Sequence, residues 1–125
     1  MANIVVVDDE KIIRILLKEI LQKQGHSVEV TQNGNEAIEL INEKVPDLVI
    51  TDIFMPEKSG LEIIMELAKE HPNIKTIAIS GDSISRKGGH LDCLSVAKDL
   101  GSIVILEKPF TLAQVLDAVD KALNQ

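Results

Sequence analysis

The sequence contains few of the residues that mark several common classes of protein. It has no tryptophan, no tyrosine and two phenylalanines, so it offers little on which a flavin could stack. Its single cysteine, Cys93, cannot form an internal disulfide, which fits a reducing compartment. The apolar runs are only a few residues long, so neither a signal peptide nor a membrane span is predicted. We therefore expect a cytoplasmic location.

Positive charge is also scarce, with 13 lysines and arginines against 20 acids and a formal net charge of −7. This balance argues against a nucleic acid or anionic membrane partner, because either would require a basic face. It favours small cations or basic patches on partner proteins. At 125 residues the chain has the length of one domain and is too short for a second functional module. We expect its output to act on a separate protein.

Short apolar runs alternate with helical patterns along the chain. The predicted strands are 3–8, 27–32, 47–52, 74–80 and 103–107. The predicted helices are 10–24, a segment from Asn33 that ends before Pro46, 59–71, 90–100 and 112–124. Strands that are apolar on both faces and joined by helices indicate a parallel sheet covered on both sides. A closed barrel of this type needs roughly 250 residues, so we predict an α/β doubly wound, flavodoxin-like sheet with strand order 2-1-3-4-5.

Polar residues stand at the carboxyl ends of four predicted strands: Asp8 and Asp9 after the first, Asp52 at the third, Ser80 at the fourth and Lys108 after the fifth. In open α/β sheets this edge is where ligands bind. The second strand ends without such a group, as expected for an edge strand far from a site. The sequence therefore predicts one polar site at this edge.

The run VVVDDE over residues 5–10 has two interpretations. Asp8 or Asp9 could simply cap the following helix. Alternatively, the acids hold a cation together with Asp52, since two carboxylates about 4 Å apart repel by about 4 kcal/mol at an effective dielectric constant near 20. Oxygen ligands suit Mg²⁺, and Lys108 could meet a phosphate oxygen. A carboxylate nucleophile, a divalent cation, a lysine and a hydroxyl are the groups required for phosphoryl transfer to aspartate.

Four motifs carry a resemblance to a known family. They are VVDD ending at Asp9, DIFMPEKSG over residues 52–60, Ser80-Gly81, and KPF over residues 108–110. With these motifs the chain resembles the CheY-like receiver domain of two-component response regulators over essentially all of its length. The resemblance implies a single stand-alone receiver domain over residues 1–125, without an output domain.

The resemblance also implies the metal site. Asp52 would be the phosphoacceptor, and Mg²⁺ would be bound directly by Asp9, Asp52 and the backbone carbonyl of Phe54. Asp8 would act through a water molecule, and Mn²⁺ would be a substitute metal. The protein would be a signalling switch that catalyses its own phosphorylation and dephosphorylation, rather than an enzyme acting on other substrates.

The phosphoryl group and the partners follow from the same resemblance. Ser80 and Lys108 would bind the phosphoryl oxygens, and the peptide bond before Pro109 would be cis. The donor would be a sensor histidine kinase or a histidine phosphotransfer protein. The downstream protein target would bind the face formed by the fourth predicted helix, the fifth strand and the last helix, helix 5 of the prediction. Neither a nucleic acid nor a membrane partner is expected.

The chain departs from the family pattern at three places. The segment between Ser80 and Lys108 is several residues longer than usual, and we interpret 81–89 as an insertion. Ile105 stands where the family has a switch aromatic, so we expect Ser80, Ile105 and the 81–89 loop to transmit the change by repacking. The Phe54 side chain can cover the site and hinder an attacking water molecule. We therefore predict slow self-dephosphorylation.

Three other functions remain as alternatives. A pseudo-receiver or phosphate sink would keep the site and serve no dedicated target. A small phosphohydrolase with an aspartyl-phosphate intermediate resembles a motif with a second aspartate two residues after the nucleophile, where this chain has Phe54. A flavodoxin-like electron carrier would need a phosphate-binding loop after the first strand, where acids stand instead.

Overall fold

The structure is a computed structural model that describes residues 1–53, 55, 58–81 and 104–125. The strands are β1 (Asn3–Val7), β2 (Ser27–Thr31), β3 (Leu48–Asp52), β4 (Lys75–Ser80) and β5 (Val104–Glu107). The helices are α1 (Lys11–Lys23), α2 (Gly34–Glu43), α3 (Gly60–Glu70) and α4 (Leu112–Leu123). The predicted helix over 90–100 lies outside the described residues, so the last helix carries the label α4.

The strands form one parallel sheet in the order β2-β1-β3-β4-β5, which confirms the predicted topology. Every residue of the central strand β3 is buried, as expected of a strand covered on both faces. The edge strand β2 has exposed residues at Ser27 and Glu29, whereas Val28 and Thr31 are buried. The edge strand is thus less covered than the central one.

Two apolar clusters lie on opposite faces of the sheet. On one face, Ile50 and its neighbours pack with Leu17 of α1 and Val115 of α4. On the other face, Val49 packs with Ile41 of α2 and Ile63 of α3. Burying each such side chain stabilises the fold by roughly 1.5–3 kcal/mol relative to exposure. Alternate residues of one strand thus hold helices on both sides and fix the position of the strand ends.

Three of the helices begin at residues whose side chains cap the first turn. The side chains of Asn33, Ser59 and Thr111 each accept a hydrogen bond from the backbone amide three residues later. Only the Thr111 cap, among those of the described helices, is a reciprocal box, in which the Gln114 side chain accepts from the Thr111 amide at 2.8 Å. None of the described helices combines the length and apolar character needed to cross a bilayer.

Candidate functional site

The carboxyl edge of the sheet gathers the polar residues that follow its strands. Asp52 pairs in register with Ile79 of β4, and Ser80 pairs with Glu107 of β5. The backbone amide of Lys108 donates to the carbonyl oxygen of Ser80 at 2.7 Å, which continues the ladder by one residue. The strand registers therefore bring the ends of β3, β4 and β5 to one level.

Lys108 reaches across this edge to three carboxylates. Its Nζ lies 2.7 Å from Glu10 Oε1, 3.1 Å from Asp52 Oδ2 and 3.2 Å from Asp8 Oδ2. The Lys108 side chain is 15% exposed. Burial alone would lower the pKa of the ammonium, but the hydrogen bond to Glu10 and the attraction of the aspartates outweigh it and raise that pKa. Lys108 therefore stays charged at any physiological pH.

We use the name acidic cluster for Asp8, Glu10 and Asp52, whose carboxylates each place one oxygen within 4.8 Å of the others. At that separation each pair repels by roughly 3 kcal/mol at an effective dielectric constant near 20. Lys108 supplies one positive charge against three negative ones. The acidic cluster and Lys108 together therefore keep a net negative charge, which a further cation would reduce.

Asp8 is the most buried member of the acidic cluster. Its side chain is fully buried, and Oδ1 accepts a hydrogen bond from the Glu10 amide at 2.8 Å. Its Oδ2 forms an ion pair with the Lys108 ammonium at 3.2 Å and accepts no hydrogen bond from any other group within the described part of the chain. Burial raises the pKa of Asp8 from 3.8 to about 6, and the charge of Asp52 adds to this, while the Glu10 amide and Lys108 oppose it.

The structure brings together Asp8, Asp52 and Lys108 from the predicted set and leaves Asp9 apart. Asp9 is exposed and is not a member of the acidic cluster found among the described residues. Glu10 takes that place, although the sequence interpretation gave it no role. The signal was present, since Glu10 is the third acid of VVVDDE, but strand periodicity does not specify side-chain direction beyond the end of β1.

The other predicted residues lie at or near the same edge. Ser80 is buried at the end of β4, Ile105 is half-buried in β5, and the peptide bond between Lys108 and Pro109 is cis. Phe54 lies outside the described residues, as does the 81–89 insertion apart from Gly81. Neither Asp8 nor Asp9 is the N-cap of α1, because that position is Glu10, so the capping interpretation of these two residues is wrong.

Comparison with known proteins gives a family match over most of the chain. The model of the response regulator receiver domain matches residues 4–120. The chain belongs to the response regulator receiver family.

Relatives of similar length support this assignment. The receiver is 34% identical to sporulation initiation phosphotransferase F of Bacillus subtilis, over 97% of this chain and 93% of that protein. It is 36% identical to the chemotaxis protein CheY of Thermotoga maritima, over 95% of each chain. A crystal structure of a response regulator receiver domain protein from Clostridium thermocellum superposes with a TM-score of 0.87 at 32% identity, covering 99% of this chain and 95% of that one. Other relatives are longer, and the receiver spans 24% of one of them.

Gly60 packs directly against the backbone of Asp52 at the receiver site. Its amide donates to the Ile53 carbonyl at 2.9 Å, and a Cβ at this position would lie 1.8 Å from the Asp52 carbonyl oxygen. No side chain fits between α3 and the end of β3. The glycine therefore lets the first turn of α3 approach the backbone that carries the Asp52 carboxylate.

The acidic cluster of the receiver fits a divalent cation. All of its donors are carboxylate oxygens, which Mg²⁺ prefers, and Asp8 Oδ2 is a buried acceptor without a hydrogen bond in the described regions. This oxygen contacts the Lys108 ammonium at 3.2 Å, and a cation or its bound water would give it a further partner. The side chains present are thus suited to the metal that the family implies.

Proposed function

We propose that this receiver accepts a phosphoryl group on Asp52 from the phosphohistidine of a sensor histidine kinase or a phosphotransfer protein. The carboxylate of Asp52, in a side chain that is 9% exposed and 3.1 Å from the Lys108 ammonium, is the observation that carries the proposal. An Asp52 oxygen would attack phosphorus as the bond from phosphorus to the histidine nitrogen breaks. The products would be an acyl phosphate on Asp52 and a free imidazole on the donor.

The residues around Asp52 would stabilise the added charge. Lys108 already contacts Asp52 Oδ2 and needs only a small movement to pair with a phosphoryl oxygen. Ser80, buried at the neighbouring strand end, would donate its hydroxyl to a second oxygen. Lys108 would exchange part of its present contact with Asp52 for a phosphoryl oxygen, and the Ser80 hydroxyl would act on charge that appears only after transfer.

Mg²⁺, with Mn²⁺ as a substitute, would be held by Asp9, Asp52 and the Phe54 carbonyl directly and by Asp8 through water. When bound, the metal would supply positive charge to the transferring phosphoryl group. Asp8 is oriented for this role by the Glu10 amide, which leaves Oδ2 directed into the acidic cluster. Asp9 is solvent-exposed at the turn after Asp8 and would have to rotate inward.

Two surfaces support the proposal of protein partners. Ile12, Ile15 and Leu16 of α1 are exposed at 76%, 54% and 40%, on the helix that begins beside Glu10. An exposed apolar face on the helix that follows Glu10 suits docking of the donor. The output would use the face that includes β5 and α4, where Ile105 would respond to movement of Ser80 and Lys108. The protein would signal through contacts of this face with a downstream protein.

Intact-mass measurement with Mg²⁺ and acetyl phosphate tests the phosphoacceptor. We expect a single phosphoryl adduct on the parent protein, none on Asp52→Ala, and no adduct when EDTA replaces Mg²⁺. Asp117→Ala is the matched control, because Asp117 is an exposed aspartate of α4 that pairs with Lys121. An adduct of equal yield on Asp52→Ala would contradict the proposal.

A further inference from the structure

Glu10 is the carboxylate of the acidic cluster that lies nearest to Lys108. Its 2.7 Å contact is shorter than the contacts of Asp52 and Asp8, at 3.1 and 3.2 Å. The Glu10 side chain is 59% exposed, whereas those of Asp8 and Asp52 are 0% and 9% exposed. Lys108 therefore contacts two inner carboxylates, those of Asp8 and Asp52, and lies closest to the solvent-exposed carboxylate of Glu10.

The backbone holds Glu10 in place for this contact. Glu10 is the N-cap of α1, and its carbonyl accepts from the Arg14 amide at 3.2 Å while its own amide donates to Asp8 Oδ1. An N-cap side chain commonly accepts a bond from the first turn of its helix. Within the regions that the structure describes, the Glu10 side chain makes no such bond and contacts Lys108 instead, 98 residues away in the chain.

The inner oxygens that Lys108 contacts belong to the site proposed for Mg²⁺, which Asp52 would bind directly and Asp8 through water. Asp52 Oδ2 and Asp8 Oδ2 both face the ammonium. An ammonium and a divalent cation at the same two oxygens repel each other, so Lys108 must give up these contacts when the metal binds. Glu10 keeps a negative charge next to Lys108 at the solvent-exposed side of the acidic cluster.

We propose that Glu10 is a positioning residue that retains Lys108 at the solvent side of the acidic cluster while Mg²⁺ is held at the inner side, by Asp52 directly and by Asp8 through water. The inference rests on the proposed function, because it concerns the metal of that same site. Pairing with Glu10 reduces the repulsion between the ammonium and the metal. It also keeps Lys108 within reach of a phosphoryl group that arrives on Asp52.

Mg²⁺ titration of the whole chain, followed by the backbone amide signals in NMR spectra, measures this effect without a phosphoryl donor. We expect Glu10→Gln to raise the dissociation constant for Mg²⁺ roughly fivefold, the equivalent of about 1 kcal/mol for one charge at a solvent-accessible site. Glu19→Gln is the matched control, since Glu19 is an exposed acid of the same helix that pairs with Lys23 at 3.2 Å. The control should stay within about twofold of the parent.

The same substitution in a Lys108→Met background separates two ways in which Glu10 could act. In each background we compare the Mg²⁺ dissociation constant with Glu10→Gln to the one without it. If Glu10 acts through Lys108, this ratio should be less than half as large in the Lys108→Met background as in the parent. A ratio that stays above this limit shows that Glu10 acts on the cation directly and overturns the inference. The side-chain ¹⁵Nζ signal of Lys108 in the Mg²⁺-saturated protein gives a second readout, which Glu10→Gln should shift and Glu19→Gln should not.

The outcomes for Glu10 and for the proposed function are distinguishable. A parent protein that binds Mg²⁺ but takes no phosphoryl group would refute the proposed function, and the Glu10 ratios would still be measurable. A phosphorylated parent in which Glu10→Gln leaves the Mg²⁺ dissociation constant unchanged would refute the role of Glu10 alone.

Discussion

Burial of Asp8 and the lack of a side chain at Gly60 are the single-residue features that shape the acidic cluster. Asp8 has no exposed surface and takes one backbone hydrogen bond, from Glu10. Gly60 allows α3 to approach the Asp52 carbonyl more closely than any Cβ would permit. The burial of Asp8 makes the stability of the fold depend on the protonation of that carboxylate. The close approach at Gly60 makes it depend on the size of the side chain at that position.

We predict that the metal-free protein becomes more stable as pH falls from 7.5 to 5. Burial raises the pKa of Asp8 to about 6 in the folded state from 3.8. The folded protein therefore binds the proton at a higher pH than the unfolded chain does, and protonation through pH 6 favours folding, by about 1 kcal/mol. Urea denaturation in EDTA, followed by circular dichroism, measures this change.

Asp8→Asn is the test of that assignment, because the amide does not titrate. Between pH 7.5 and 5 the unfolding free energy of the parent should rise by about 1 kcal/mol relative to that of the variant. Asp117→Asn serves as the exposed control and should leave the pH dependence as it is. A parent and an Asp8→Asn variant with parallel pH profiles would show that Asp8 is not the titrating group.

Gly60→Ala should destabilise the fold by about 1–3 kcal/mol, because α3 or the end of β3 must shift to admit the methyl group. The variant should also be phosphorylated more slowly, since the shift moves the Asp52 backbone. Gly81→Ala is a matched control, as its Cβ would lie 3.9 Å from Lys108 Cδ, an ordinary van der Waals distance. Equal urea midpoints for the two variants would contradict the prediction.

At the scale of single elements, the caps and registers place the site. α4 begins with the reciprocal Thr111 and Gln114 box directly after the segment of Lys108 and Pro109. The end of β5 is tied to β4 by the bond from the Lys108 amide to the Ser80 carbonyl. The lysine is thus held between a strand end and a helix start.

We predict that Thr111→Ala lowers the free energy of unfolding by about 1 kcal/mol, since α4 loses the acceptor for the Gln114 amide. Thr111→Ser retains a hydroxyl at the same position and should recover most of that loss. Urea denaturation of the three proteins measures both effects. An alanine variant as stable as the serine variant would mean that the box contributes nothing.

At the scale of the whole molecule, one parallel sheet converts distant parts of the chain into a single charged site. Glu10 and Lys108 are far apart in sequence and in direct contact in the fold. The acidic cluster carries three carboxylates against one lysine. A cation that binds only this assembled state must stabilise the fold as a whole.

We therefore expect Mg²⁺ to raise the melting temperature. At a free concentration ten times the dissociation constant, binding adds about 1.4 kcal/mol, which for a domain of this size is roughly 5 °C. Thermal unfolding followed by circular dichroism compares EDTA, Mg²⁺ and NaCl at matched ionic strength. A rise of the same size with NaCl alone would point to general screening of the net negative charge.

The sequence by itself determined the elements, their order and the types of residue at the strand ends. Apolar runs on both faces require a covered parallel sheet, and Asn33, Ser59 and Thr111 mark helix starts through hydrogen bonds made within a few residues. These features depend on local periodicity and on hydrogen bonds between near neighbours. They can therefore be predicted from a single chain.

Only the tertiary structure decided which acids share the lysine. Asp9 and Glu10 are adjacent, yet Asp9 faces solvent and Glu10 contacts Lys108. That choice depends on the backbone direction after β1 and on the position of β5, which packing determines. The contact between Gly60 and the Asp52 carbonyl is of the same kind, because a distance between two elements has no local signature in the sequence.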